Sequence, residues 1–252
     1  MVRLYHVLLG LILIPVGVAT GISYFSADKE SEASSVKTPI TSLVGAKSDQ
    51  TNVWQNLIAE TPLPPGWKIN PCEQENNLLC VSANGKPVGT VQMQIFPLES
   101  QPNFQEMLLN AGIPPNSNVN DQSPKYSIQI ATALNSWVTN NYIALAKSGN
   151  YVYDDNLKAA KTKDGVLFSP YPLQKVWVGK LEGVRYGFAG LKQKGGVYEQ
   201  HTGYVAFDGK ALYLINTAFN PDLKTGNFEK LENLSVFEPY LNAVAANLKL
   251  PN

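Results

Sequence analysis

Apolar and polar positions along this chain change their spacing several times, and each change predicts an element. From Val7 to Phe25 the run VLLGLILIPVGVATGISYF carries no charge. As a helix it rises roughly 28 Å, close to the ~30 Å hydrocarbon core of a bilayer. Residues 1–25 are therefore expected to be an N-terminal transmembrane helix that contacts the lipid bilayer. A cleaved signal peptide is the competing reading, since its apolar region is usually shorter and precedes a small-residue cleavage site. Phe25 is bulky where FSA, ending at Ala27, wants a small residue, and Val18-Ala19-Thr20 is a passable alternative. Arg3 precedes the run, while Asp28, Glu30 and Glu32 surround Lys29 after it. The positive-inside bias then leaves the N-terminus in the cytoplasm and the remainder outside it. Gly17 and Gly21 have the spacing that lets two membrane helices approach closely, a spacing also common by chance.

Residues 26–50 are rich in Ser, Ala, Lys, Asp and Glu with no aromatic side chain, too polar to bury a core. They read as a flexible linker of roughly 25 to 30 Å reach. The globular domain is expected over residues 51–252. Val53, Trp54, Leu57 and Ile58 share one side of a short helix that TPLPPGW ends. The expected place of that helix is against the domain, with the lipid interface as the alternative. LLCVSA and VGTVQMQIF flank Asn84-Gly85, a dipeptide suited to the two positive φ angles of a tight hairpin. Val91, Met93 and Ile95 alternate with Gln92 and Gln94, which makes one face of that strand wet. NFQEMLLNAG predicts a short helix closed by Gly112, and 125–147 a long one carrying Ile130, Leu134, Trp137 and Val138 on a stripe.

Four strand-like runs follow: LQKVWVGKL, VRYGFAGLKQ, VYEQHTGYVAF and ALYLINTAF. Turns are expected at Glu182-Gly183, Lys194-Gly195-Gly196 and Asp208-Gly209-Lys210, giving an antiparallel meander. The last segment spaces Phe228, Leu231, Leu234, Phe237, Leu241, Val244 and Leu248 at helical steps, with Pro239 predicting a kink or a restart. The fold class is α+β: an antiparallel sheet, hairpin plus four-strand meander, with packed helices.

Charge and chemistry change this picture little. Twenty basic and twenty acidic residues cancel, so no basic field favours nucleic acid. The only cysteines are Cys72 and Cys80. Outside the cytoplasm a proximate pair tends to be oxidised, while a metal site needs about four ligands and the chain beyond the anchor has one histidine, His201. A structural disulfide is the expectation, with free buried thiols the alternative. No nucleophile elbow, phosphate loop or His-Glu-x-x-His is present. His201 reads as a satisfied structural or surface histidine, although Glu199 shares its strand face. Asp154-Asp155, Glu73, Glu75 and the lysines of LKAAKTK read as solvated charges. Tyr186, Tyr198, Tyr204, Tyr213 and Trp177 populate the meander and are expected to be core residues or cross-strand pairs. FSPYPL is a proline-stiffened extended loop, and its Phe168 and Tyr171 are the candidate docking residues.

The succession of Gly66-Trp67 entering a strand, a hairpin, a helix, a meander and the ending ALYLINTAFNPDLKTGNFEKLENLSVF resembles the PsbP-like fold. That family is named for the extrinsic subunit on the lumenal side of photosystem II. The resemblance covers roughly Leu63 to Leu250 and implies an α/β/α sandwich and a non-enzymatic assembly or stability role at a photosynthetic membrane. It supplies no binding residues and no cofactor. The sequence thus points to a single-pass protein with its domain in a periplasm or thylakoid lumen, binding a membrane-associated protein complex. The alternatives are a small-molecule-binding module and an enzyme of unrecognised type.

Overall fold

The computed structural model describes residues 53–250 other than 59–60, 74, 116, 118, 120–123, 148–159, 162–165 and 193. The expected membrane segment and linker lie outside the described residues, as do Asp154, Asp155, Lys158 and Lys163. Among the described residues no helix is long and apolar enough to cross a membrane.

The described chain opens with α1 (Trp54–Leu57), β1 (Trp67–Pro71), β2 (Leu78–Ala83) and β3 (Lys86–Pro97). Two helices follow, α2 (Pro102–Asn110) and α3 (Ser127–Lys147). Next come β4 (Ala160–Lys161), β5 (Val166–Pro170), β6 (Gln174–Val178), β7 (Leu181–Lys192), β8 (Val197–Phe207) and β9 (Ala211–Phe219). The last element is α4 (Leu231–Ala246). The fold class is α+β as expected. The described strands join in one antiparallel sheet of order β1-β2-β3-β9-β8-β7-β5-β4, and β6 also pairs with β7.

Several turns obey local chemistry. Asn84 and Gly85 hold φ of 51° and 76° between β2 and β3, as a two-residue hairpin requires. The β8–β9 turn is fixed by Asp208, whose Oδ1 accepts from the backbone N–H of Lys210 and Ala211 at 2.7 Å each. The first meander turn differs from expectation. Gly179-Lys180, not Glu182-Gly183, links β6 to β7, and Val178 pairs directly with Leu181. Gly179 has φ 56° and supplies the left-handed first position, which leaves Glu182 and Gly183 extended within β7.

Helices cover both faces of the sheet. On one face α4 places Leu234, Phe237 and Leu241 over Met93, Tyr204 and Ile215. Trp54 of α1 is fully buried in the same cluster, its Nε1–H donating to the Asn77 carbonyl at 3.2 Å, so α1 packs on the domain. On the other face α2 and α3 contribute Phe104, Leu134 and Val138 against Phe188, Val205 and Phe207. The run ALYLI in β9 divides between the faces: Leu212 and Leu214 turn to α2 and α3, Tyr213 and Ile215 to α4. A near-continuous apolar strand is what a sheet covered on both sides needs.

α4 runs through Pro239 as one continuous helix, so of the kink or restart expected there the restart does not occur. The cost of its missing N–H is offset by the apolar stripe on either side of it. The disulfide is present: Cys72 follows β1 and bonds Cys80 of β2, with Cα atoms 5.1 Å apart. It closes the β1–β2 hairpin at the sheet's edge. By the chain-entropy relation, Cys72→Ser is expected to lower stability by about 2 to 3 kcal/mol. A urea midpoint equal to the wild type's, under non-reducing conditions, would contradict this.

Candidate functional site

The candidate docking segment is where the sheet changes its edge strand. β5 pairs with β7 as far as Pro170 opposite Phe188, and β6 resumes with Gln174 opposite Arg185. Three residues, Tyr171 to Leu173, therefore face two, Tyr186 and Gly187. The surplus bows outward, anchored by the Tyr171 N–H donating to the Gly187 carbonyl at 2.8 Å. Behind it Tyr142 of α3 fills the gap: its hydroxyl donates to the Gly187 carbonyl and accepts from the Gly187 N–H at 2.6 Å. Burial pushes the Tyr142 phenol up to about 12, partly opposed by the hydrogen bond to Gly187.

A shallow depression of about 170 Å³ results, lined by Tyr171, Pro172, Gln174, Arg185 and Tyr186. The two expected docking residues separate here. Tyr171 lines the depression half-exposed, its phenol raised by burial and then by the Glu238 charge. Phe168 is not on a loop at all. It sits within β5, is 2% exposed, and packs edge-on to Tyr142 at 5.9 Å and against Phe188 at 4.9 Å. FSP was expected to be loop because of its proline, but Pro170 is the last residue of the strand, where a missing N–H is tolerated.

Below the depression lies a charged network that spacing alone did not reveal. Glu238 of α4 points at the sheet and takes three donors: Arg185 Nη2 at 2.6 Å, Thr202 Oγ1 at 2.8 Å and Gln200 Nε2 at 3.2 Å. Arg185 Nη1 also donates to Gln174 Oε1 at 3.2 Å. A signal was in the sequence. Leu234, Glu238, Leu241 and Ala245 follow one helical stripe, so an acid interrupts an apolar face, and Arg185 is the only arginine besides Arg3.

His201 belongs to a second buried group at the far end of the meander. Its Nε2 lies 2.8 Å from Glu199 Oε2, and Asn220 Nδ2 donates to the same oxygen at 2.7 Å. Asn220 is fixed in that orientation because its Oδ1 accepts from the Asp222 N–H at 2.8 Å. The carboxylate oxygen thus receives the amide, and the proton between it and the ring is assigned to Nε2. The imidazole stacks on Phe188 at 4.3 Å. Asn220 in turn exchanges bonds with Asn227, which leads into Phe228. This geometry orients the imidazole and ties β8 to the segment before α4. His201 is thus buried with its Nε2 partnered, and the oriented carboxylate is a contact that sequence placed only on the same face.

Of the meander aromatics, Tyr204 and Tyr213 are core residues and Trp177 is 55% exposed. Tyr213 Oη donates to Asp208 Oδ2 at 2.8 Å and Tyr186 Oη to Asn216 Oδ1 at 2.7 Å. Tyr204 is fully buried and its hydroxyl has no hydrogen-bond partner among the described residues; burial raises this phenol far above its ordinary value. An unsatisfied buried hydroxyl is a liability. Tyr204→Phe is expected to leave stability unchanged or raise it by about 1 kcal/mol. A loss above about 1 kcal/mol in chemical denaturation would mean that the hydroxyl has a partner in solution.

Among the described residues no three His, Cys, Asp or Glu side chains group as metal ligands. Glu73 is exposed in the loop closing the β1–β2 hairpin, and Glu75 accompanies it there. Fold and surface together define an antiparallel α+β domain with helices on both sheet faces and a stepped, aromatic-bearing edge. The chain matches no protein-family model and no curated protein.

Proposed function

We propose that this protein is a non-catalytic accessory factor, held at a membrane by its N-terminal segment, whose extracytoplasmic domain binds a membrane protein complex during assembly or maintenance. The observation that carries the reading is the bowed segment at the β5–β6 junction. It presents Tyr171 and Pro172 beside a depression of about 170 Å³, below the ~300 Å³ at which small-molecule pockets begin. Such a surface suits a protruding side chain of a protein partner better than an enclosed ligand. The Arg185–Glu238 pair beneath it holds the platform rigid, which reduces the entropy lost on docking.

The PsbP-like resemblance belongs to this proposal too. The order of hairpin, helices, meander and closing helix, with helices on both sheet faces, supports it. On that reading the membrane is photosynthetic and the domain lies in a lumen or periplasm.

Copurification of the full chain from detergent-solubilised membranes tests the proposal. The expected result is a large complex whose yield falls when Tyr171→Asp is introduced, with the melting temperature unchanged. Recovery of a monomer carrying a bound small molecule would overturn it in favour of a ligand-binding module.

A further inference from the structure

Among the described residues three strands border the sheet: β1, β4 and β6. Open strand edges invite pairing, and proteins usually blunt them with proline, bulges, charge or brevity. β1 ends in Pro71 beside the disulfide, and β4 has two residues. β6 has five residues, contains no proline, and pairs with β7 without a bulge. Its one guard is Lys175, whose ammonium is neutralised by Glu182 at 2.7 Å.

The two-residue turn at Gly179-Lys180 sets the phase of the edge. Val178 and Leu181 flank it and exchange both backbone bonds, so alternation gives the same to Val176 with Gly183 and Gln174 with Arg185. The N–H and C=O of Lys175 and Trp177 therefore point away from β7, and no described backbone group receives them.

We propose that this edge pairs with the same edge of a second copy of the chain, antiparallel about a two-fold axis through Val176. In that register the outward groups of Lys175 meet those of Trp177 in the second copy, and the reverse pair forms by symmetry. A shift of one residue would set outward groups against inward ones, so the alternation excludes every odd shift and leaves the side chains to choose among the even ones. The side chains agree with this register. Lys175 and Trp177 lie on one sheet face, so each lysine comes opposite the exposed indole of the other copy, and its ammonium, on a side chain 67% exposed, swings from Glu182 to that ring in a cation–π pairing. On the opposite face half-buried Val176 meets its own counterpart. This self-complementarity of cation to indole and valine to valine selects a second copy over an unrelated strand. The paired edge is short, at the small end of specific interfaces, so dissociation in dilute solution is expected. Confinement at a membrane, which rests on the proposed function, would favour the pair by raising local concentration.

Val176→Cys in the full chain in detergent tests the register, because Val176 and its counterpart form a non-bonded pair with Cα atoms about 4.5 Å apart, within disulfide reach. Under mild oxidation this variant is expected to give a disulfide-linked dimer on a non-reducing gel. Lys180→Cys, exposed in the turn and remote from its counterpart in this register, is expected to give little. Adding Lys175→Pro removes an outward N–H while leaving every bond to β7, and should cut the Val176→Cys dimer roughly tenfold at unchanged melting temperature. If that proline lowers the melting temperature, Trp177→Asp replaces it, with the same loss expected. Equal cross-linking by Lys180→Cys, dimer that survives both edge substitutions, or cross-linking only to a different protein would each overturn the proposal. None of these outcomes bears on Tyr171→Asp copurification, so the two readings fail separately.

Discussion

Gly89→Ala is expected to destabilise the domain by about 2 to 3 kcal/mol, although alanine is ordinarily the better strand residue by about 0.5 to 1 kcal/mol. Gly89 lies in β3 and bridges to Phe228, the residue that leads the chain back toward α4. A Cβ at this position would lie 2.5 to 2.8 Å from the Phe228 ring atoms. The ring has nowhere to go. It is fully buried and packs on Phe237 at 5.3 Å, which stacks in turn with Trp67 at 6.1 Å. Phe228→Leu alone is expected to cost about 1 to 2 kcal/mol by leaving part of its volume empty. Combined with Gly89→Ala it should be more stable than the sum of the two losses predicts, since the alanine methyl enters the space the ring vacates. Urea denaturation of the four proteins measures this. Additive losses, or an alanine variant more stable than wild type, would show that the ring does not define the glycine.

Arg185→Met is expected to cost about 2 to 3 kcal/mol, and Arg185→Met with Glu238→Met less than about 1 kcal/mol. Removing the guanidinium alone leaves the Glu238 carboxylate, 17% exposed, with only the neutral donors Thr202 and Gln200. Removing both leaves apolar side chains of similar length between α4 and the sheet, where burial compensates. Partial exposure of Arg185, 30%, lets water screen the pair and keeps the single loss below that of a fully enclosed bridge. The measurement is a double-mutant cycle by urea denaturation. A double variant as unstable as the single one would mean that the network contributes through its hydrogen bonds rather than by compensating a buried charge. The same cycle followed by copurification separates stability from docking, because both variants remove the floor of the Tyr171 depression.

Most elements of the fold follow from local chemistry. Asn84-Gly85 dictates its hairpin because few other residues accept two positive φ angles, and the 3.6-residue stripe through Ile130, Leu134 and Val138 dictates α3. Both are decided within a dozen residues, where backbone sterics and amphipathic spacing act without knowledge of the rest of the chain. The cysteine pair was legible too, since the two lie only eight positions apart in a chain that offers one histidine beyond its first segment and so no ligand set for a metal. What failed were judgements that depend on a partner strand. VLFSP had a proline and no clear alternation, yet it is β5, because β7 offers it a free edge and the α2–α3 face buries Phe168. Glu182-Gly183 looked like a turn, yet the chain turns at Gly179, whose φ of 56° fits the tight link and whose N–H donates to the Ala245 carbonyl of α4 at 2.8 Å.

By itself, then, the sequence determined the α+β class, the hairpin, the long helix, the meander and the disulfide, because each rests on interactions between residues near in the chain. Only the tertiary structure decided that β3 pairs with β9 and fuses hairpin and meander into one sheet, that Glu238 reaches Arg185 across the α4 face, and that Asn220 meets Glu199 and His201. Those contacts join residues at least 19 positions apart, and a further bond between β3 and β9, from Thr217 Oγ1 to the Thr90 carbonyl, spans 127. Local propensity carries no information about such pairings. They are selected by which arrangement buries both faces of the sheet at once while leaving each buried charge with a partner.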